Sequence, residues 1–340
     1  MKKIRVLVVD DSLVFRETLA RGLAVDPMIE VVATAVDPFD ARDKILEYKP
    51  DVMTLDIEMP RMNGIEFLRK LMPQYPLPTI VISAVNEHVF EAINLGAIDF
   101  VRKPDGHLFV ANKEFFMDLV FKVKIAANAK IQKVGGNGRI HTEQVTSRNI
   151  SNKIIAIGAS TGGTVALTNV LTALEPPLPG IVIVQHIPPV FSEMFARRLD
   201  SISTLEVKEA VDGDSVTPGR VLIAAGNQHM RVKKIGAQIK VECFAGEKVN
   251  GHCPSVDVLF NSVVSFGVNA VGVIMTGMGY DGAKGLLNMR KAGAKTIGQD
   301  EKSSVVYGMP KVAYNIGAVE YQVSLEQIPD KICSLISNLK

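Results

Sequence analysis

Gly158-Ala159-Ser160-Thr161-Gly162 spells G-x-S-x-G where an apolar, β-branched run gives way to a helical pattern. A serine on such a turn can act as a nucleophile if a base and an orienting acid stand nearby. The other use of a glycine-rich turn, cradling a phosphate, asks for G-x-G-x-x-G or G-x-x-x-x-G-K-[ST]. Ser160 stands where the second glycine of the dinucleotide pattern should be, and no P-loop sequence occurs. The motif alone is modest, since small residues also permit close strand–helix packing. Six histidines are candidates for the base. His186 ends the next apolar run, "IVIVQH", and would share a sheet edge with Ser160, whereas His88, His107 and His141 fall in the first domain or the linker. His229 and His252 lie in later loops and could also reach, so spacing leaves three histidines open. For the acid, Asp281 stands in "VIMTGMGYDGA", just past another apolar run. Gly277 and Gly279 there would let backbone N–H groups approach a developing oxyanion. The plainer use of Asp281 is as a cap on the helix that follows.

A second chemistry-bearing set sits in the first third of the chain. Asp10 and Asp11 end one apolar run, Asp56 another, Ser83 a third, and Lys103 follows a fourth. Carboxylates gathered at one sheet edge repel one another unless a cation joins them. An oxygen-only donor set is how Mg²⁺ is usually held, and a carboxylate can attack a phosphoryl group to give an aspartyl phosphate. Lys103 would then balance phosphate charge, and the Ser83 hydroxyl would hydrogen-bond one of its oxygens. Each residue alone has a humbler use, as a helix cap, a turn starter or a solvated lysine. Four of them at successive strand ends favour the site.

Both sets depend on alternating strands and helices. "IRVLVVD", "EVVATAV", "DVMTLDI", "PTIVISAV" and "IDFVRKP" read as strands separated by amphipathic helices, ending in a helix from about Lys113 to Lys133. Such runs, apolar on both faces, predict a parallel sheet covered on both sides. The polar, glycine-rich stretch Val134 to Asn152 breaks the pattern and reads as a linker. A second series then runs from "KIIAIGA" through "GIVIVQHI", "LEVKEA", "RVLIAAG", a hairpin "MRVKKIGAQIKVECF", a helix "SVDVLFNSVVSFG", "AVGVIMT", "KTIGQD" and "VEYQV" to a last helix near "IPDKICSLISNL". The expected fold class is α/β, with two doubly wound, mainly parallel sheets. The expected domains are 1–130, a linker 131–152, and 153–340. Ligands of such sheets gather beyond the carboxyl ends of the strands, where both residue sets fall.

Bulk properties agree. The 340 residues are 47% hydrophobic and 22% charged, as in globular proteins, and suffice for two cores. No apolar run approaches the length of a membrane span, and "MKKIRVLVVDD" reads as a first core strand, not a signal peptide. The three cysteines, Cys243, Cys253 and Cys333, have no C-x-x-C spacing and suit a reducing cytoplasm. A net charge of +2 argues against a nucleic-acid surface.

The motifs "VVDDS", "LDIEMPRMNG", "VISA" and "VRKP" together resemble the receiver domain of two-component response regulators over about residues 3 to 125. The resemblance implies that Asp56 accepts the phosphoryl group and that Asp10, Asp11, Asp56 and the Glu58 backbone carbonyl hold Mg²⁺. Ser83 and Lys103 would contact the phosphate, and Phe100 would stand at the switch position. Phe100 has no hydroxyl, so only the packing part of that switch carries over. From Lys153 onward, "GASTGG", "VQHIPPVF", "HCPSVDVLF", "TGMGYDGAKG" and "TIGQDEKSSVVYGMPKVA" resemble the catalytic domain of the chemotaxis protein-glutamate methylesterases, a family that also carries a receiver and a linker.

That second resemblance implies Ser160 as nucleophile, His186 as base and Asp281 as its orienter, with backbone N–H groups of Met278 and Thr161 for the oxyanion. It implies a flavodoxin-like receiver followed by a Rossmann-like esterase domain. The esterase itself would need no cofactor. The implied substrate is a methylated chemoreceptor helix, with glutamines also deamidated by some members, and the implied phosphodonor is a chemotaxis histidine kinase. It further implies cytoplasmic location, no membrane insertion and no nucleic-acid partner. The unphosphorylated receiver would cover the esterase site. Two rivals stand beside this reading. A DNA-binding output would need a compact, basic helical module, which the strand-rich second half does not supply. A non-catalytic signalling module joined to a receiver would fail to react with a serine-directed fluorophosphonate.

Overall fold

The computed structural model describes residues 2–84, 88–104, 112–129 and 150–339. The chain divides into two compact units, Met1–Gly136 and Asn137–Lys340. Most of the expected linker, the far end of the helix expected to reach Lys133, and His107 and His141 lie outside the described residues.

In the first unit β1 (Ile4–Val9), α1 (Leu13–Ala24), β2 (Ile29–Ala35), α2 (Pro38–Tyr48) and β3 (Val52–Asp56) come first. They are followed by α3 (Gly64–Leu71), β4 (Thr79–Ser83), α4 (His88–Asn94), β5 (Asp99–Arg102) and α5 (Lys113–Ala126). The sheet order is β2-β1-β3-β4-β5, and every pairing is parallel. Every residue of β3 and β4 is buried, as a sheet covered on both faces requires. Ser12 caps α1 by accepting from the Phe15 N–H, which starts that helix one residue earlier than its apolar period does.

In the second unit β6 (Ile154–Ala159), α6 (Gly163–Ala173), β7 (Gly180–Gln185), α7 (Phe191–Ile202), β8 (Glu206–Glu209) and β9 (Arg220–Ile223) precede a hairpin. The hairpin is β10 (His229–Ile235) and β11 (Gln238–Phe244). After it come α8 (Val256–Val263), β12 (Ala270–Ile274), α9 (Ala283–Lys291), β13 (Lys295–Gln299), α10 (Met309–Asn315), β14 (Tyr321–Val323) and α11 (Ile328–Asn338). The seven-stranded sheet has the order β14-β13-β12-β6-β7-β9-β8, again wholly parallel, with β10-β11 as a separate antiparallel ribbon. All residues of β6, β7 and β12 are buried. α8 is shorter than its apolar period predicts. It passes into a 3-10 turn at Val264, and Gly267 breaks the helix with φ 50° and ψ −125°.

In both sheets the first strand lies between neighbours reached in opposite directions: β1 between β2 and β3, β6 between β7 and β12. Such a reversal opens a crevice at the carboxyl ends of the flanking strands. Asp10 and Asp56 follow or end β1 and β3, while Ser160 follows β6 and Asp281 lies beyond β12.

Candidate active site

In the first unit, carboxylate oxygens of Asp10, Asp11 and Asp56 all lie within 4.8 Å of one another. Asp10 and Asp56 are buried and Asp11 is exposed. Lys103 Nζ reaches Asp56 Oδ2 at 2.8 Å and Asp10 Oδ2 at 3.0 Å, and it sits 4.1 Å over the Phe15 ring. Burial pushes the Asp10 carboxyl up to about 6, with Asp56 adding to the rise and Lys103 opposing it. Burial would lower the Lys103 ammonium, but its two carboxylate partners outweigh that and hold it above its ordinary value. The backbone N–H of Glu58 donates to Asp56 Oδ1 at 3.3 Å. Ser83 Oγ is buried and has no hydrogen-bond partner among the described residues, although it ends the neighbouring strand. A buried hydroxyl without a partner is costly and marks a place for an incoming oxygen. Phe100 is buried on β5 in edge contact with Phe90.

In the second unit, His186 Nδ1 lies 3.1 Å from Ser160 Oγ, and His186 Nε2 lies 2.9 Å from Asp281 Oδ2. The ionised carboxylate can only accept, so the neutral ring carries its proton on Nε2 and turns the Nδ1 lone pair toward the serine. The ring is thus reversed end for end from the serine-protease arrangement, where Nε2 faces the nucleophile. The link between the same three residue types is intact.

Local structure explains the placement. Ser160 N–H donates to Thr276 O at 3.0 Å, and His186 N–H donates to Ala159 O at 3.1 Å. Gln185 Nε2 donates to both the Ser160 carbonyl, at 2.8 Å, and the His186 carbonyl, at 3.1 Å. Gly162 turns with φ +77°, where a Cβ would press into Val305. A Cβ on Gly277 would stand 2.7 Å from Ser160 Cβ, so only glycine lets the β12 loop approach the serine this closely. That loop carries Met278, and among the described residues neither the Met278 nor the Thr161 backbone N–H has a protein acceptor.

Asp281 does not cap the helix that follows it. Gly282 occupies that N-cap position and no side chain caps α9. The Asp281 carboxylate instead receives the start of α8: Val256 N–H at 2.7 Å, Asp257 N–H at 3.2 Å and Ser255 Oγ at 2.7 Å, with Asn250 Nδ2 at 2.8 Å. Burial alone would raise this carboxyl. The His186 hydrogen bond and charge, with Asn250 and Ser255, outweigh burial and hold it well below the usual carboxylate range. A helix N-terminus favours an anion for the same reason.

The other two histidines are resolved by their contacts. His229 is buried, accepts from Ser255 N–H at Nδ1 and lies 2.9 Å from Glu247 O at Nε2, so both ring nitrogens are occupied away from Ser160. His252 makes no hydrogen bond to Ser160; its ring stacks on His186. Spacing alone left these three histidines open, and only the resemblance carried by "VQHIPPVF" singled out His186. The role of the α8 N-terminus was equally invisible, because Asp281 lies 25 residues beyond Val256 in the chain.

A family model described as CheB methylesterase matches residues 155–332, and one described as response regulator receiver domain matches residues 6–110. A protein-glutamate methylesterase/protein-glutamine glutaminase of Syntrophomonas wolfei is 56% identical over 100% of this chain and 99% of its own length. One of Syntrophotalea carbinolica is 48% identical over 99% of this chain and 98% of its own. The second unit also resembles the crystal structure of the Thermotoga maritima CheB methylesterase catalytic domain, with a TM-score of 0.53 and 38% identity, over 55% of this chain and all of that one. This chain therefore belongs to the CheB methylesterase family, as an enzyme that carries a response-regulator receiver domain ahead of its catalytic domain.

Proposed function

We propose that this protein hydrolyses glutamate γ-methyl esters on the cytoplasmic helices of chemoreceptors, and that phosphate on Asp56 controls the rate. The observation that carries the reading is the hydrogen-bonded line Ser160–His186–Asp281, 3.1 and 2.9 Å long, at the mouth of a sheet crevice. Ser160 Oγ attacks the ester carbonyl while His186 Nδ1 takes its proton, and Asp281 steadies the imidazolium so formed. The oxyanion is met by the unpaired backbone N–H groups of Met278 and Thr161. His186 then returns the proton to the departing methoxide, and methanol leaves. Water, deprotonated by the same imidazole, attacks the acyl-serine, and the imidazolium returns that proton to Ser160 Oγ as the glutamate is freed. A glutamine side chain follows the same course with ammonia as the leaving group, in keeping with the glutaminase in the relatives' names.

For the receiver, the gathered carboxylates of Asp10, Asp11 and Asp56 form an oxygen-only set that suits Mg²⁺, and the Glu58 carbonyl is the further ligand the family resemblance implies. That ion would neutralise charge on a phosphoryl group arriving at Asp56. Lys103 is already drawn to Asp56 and would pair with the new phosphate, and the unpartnered Ser83 hydroxyl would donate to it. The phosphodonor is a chemotaxis histidine kinase, and the setting is the cytoplasm. No helix among the described residues is long and apolar enough to cross a membrane.

Control is proposed to be by occlusion: the unphosphorylated receiver covers the esterase site, and phosphate at Asp56 loosens the contact. Contacts between domains of one chain are in general modest and polar enough for a new charge to shift them. A fragment beginning at Lys153 is expected to release methanol about 100-fold faster than the resting full chain, a bias of only ~2.7 kcal/mol. The fragment should ignore a small phosphodonor, whereas the full chain should respond to it. Asp56→Asn should keep the basal rate of the full chain and lose the response. A fragment no faster than the resting chain would rule out occlusion and leave direct assistance by the phosphorylated receiver.

A further inference from the structure

One tight turn reaches the triad from outside and has no part in the scheme above. Val249 and His252 pair across it, with Val249 N–H to His252 O at 2.9 Å and His252 N–H to Val249 O at 3.0 Å. Its central residues Asn250 and Gly251 have φ of +53° and +84°, the Asn-Gly pattern of a two-residue hairpin turn. Asn250 Nδ2 donates to Asp281 Oδ1 at 2.8 Å and to Asp257 Oδ2 at 2.7 Å. Two residues on, the His252 ring lies flat on His186, with centroids 3.7 Å apart and planes 11° from parallel. The same turn therefore grips the acid and covers the base.

We propose that His252 is a positioning residue, whose ring is a stacking platform that fixes the plane of the His186 imidazole and steadies the imidazolium formed when Ser160 gives up its proton. The proposal rests on the triad reading above. Hydrogen bonds at Nδ1 and Nε2 hold two points on the His186 ring. They restrain least its rocking about the line through those two atoms. A flat group against one face removes that freedom, and the bond to Asn250 makes the platform and the carboxylate move as one body. The π face of an uncharged ring also attracts a cation, an effect that grows as water is excluded. Burial pushes the His252 imidazole down to about 4, with His186 and Lys248 lowering it further and Asp281 opposing them. It is thus uncharged near neutrality. Among the described residues neither of its nitrogens is hydrogen-bonded to the protein, and its recorded contact with the triad is the ring stack on His186.

The test uses the full chain activated by a small phosphodonor, with methanol release measured for His252→Leu and His252→Phe. Both variants lose the ring nitrogens, but only phenylalanine keeps a flat face. His252→Leu is expected to lose about tenfold in kcat at unchanged KM, and His252→Phe to stay within about threefold of the parent. A leucine variant with the parent's kcat overturns the proposal. So does a phenylalanine variant as slow as the leucine one, both melting like the parent, because imidazole chemistry would then matter in place of the flat face. If the leucine variant fails to fold, the parent protein still decides the matter by NMR. Ring protons of His186 should be displaced upfield by the stacked neighbour, and the ordinary imidazole position overturns the platform. Ser160→Ala is measured alongside. An inactive Ser160→Ala with an unaffected His252→Leu sinks the platform alone, whereas an active Ser160→Ala sinks the triad reading beneath it.

Discussion

Ser160→Ala is expected to stop methanol release from methylated receptor, a loss of roughly 10⁶ in kcat, while the protein melts as before. The loss follows from geometry: Ser160 Oγ is the group that His186 Nδ1 faces, and alanine leaves the base nothing to deprotonate. The fold should tolerate the change. Ser160 is only partly buried, and its backbone bonds to Thr276 and Gln185 do not involve the hydroxyl. His186→Gln should fall almost as far, and the double substitution should be little worse than either alone, since two groups that act as a unit are lost together. His229→Gln should leave the chemistry less impaired and the fold more so, because that buried ring bridges Ser255 and Glu247. Ser160→Ala activity within tenfold of the parent would end the assignment.

Asp281→Asn should cost roughly 10⁴ in kcat, through the tautomer of His186. The carboxylate now accepts from five donors: His186, Asn250, Ser255, Val256 and Asp257. An amide in its place has one accepting oxygen. The backbone N–H groups of α8 and the Ser255 hydroxyl compete for that oxygen, which leaves the NH₂ toward His186 Nε2. The imidazole must then carry its proton on Nδ1 and present a donor, not a lone pair, to Ser160. The change should also lower the melting temperature, because the amide leaves buried donors unmet at the α8 N-terminus. Labelling by a fluorophosphonate separates the two effects. It should be slow in Asp281→Asn even at temperatures where the fold is complete, and labelling at the parent's rate would show that Asp281 is structural only.

The two sheets and most of the site were legible because the chemistry sits where buried strands stop. "VVDD", "TLD" and "VIS" in the first unit and "IIAIGAS" and "IVIVQH" in the second each end a run that is apolar on both sides, and the polar residue after it is at the carboxyl edge by construction. Contacts that cross the loops were not legible. Nothing in "KVNGHCPSVD" announces that Asn250 grips Asp281, or that the ring of His252 lies on His186, since those partners are 31 and 66 residues away. α10 is not legible in the sequence either, being seven residues long with proline in its first turn and little apolar period. The end of α8 is hidden in the sequence because apolar residues continue through Phe266, although the backbone has left the α-helix.

The bridge made by Gln185 has a bearing on how the site fails under stress. One amide nitrogen holds the carbonyls of both Ser160 and His186, and the serine loop is laced onward, through Thr276, to Gln299 at the end of β13. Gln185 and Gln299 end β7 and β13, and both are buried, as is Thr276 just beyond β12, so the distance between nucleophile and base has no soft mode of its own. Local opening draws on regions of few buried contacts, and this corner is not one of them. Heat or urea should therefore take hydrolysis of a small ester by the catalytic unit and its tertiary circular-dichroism signal together, at one midpoint. An esterase that faded well before its fold did would mean that the pair can part while the sheet still stands.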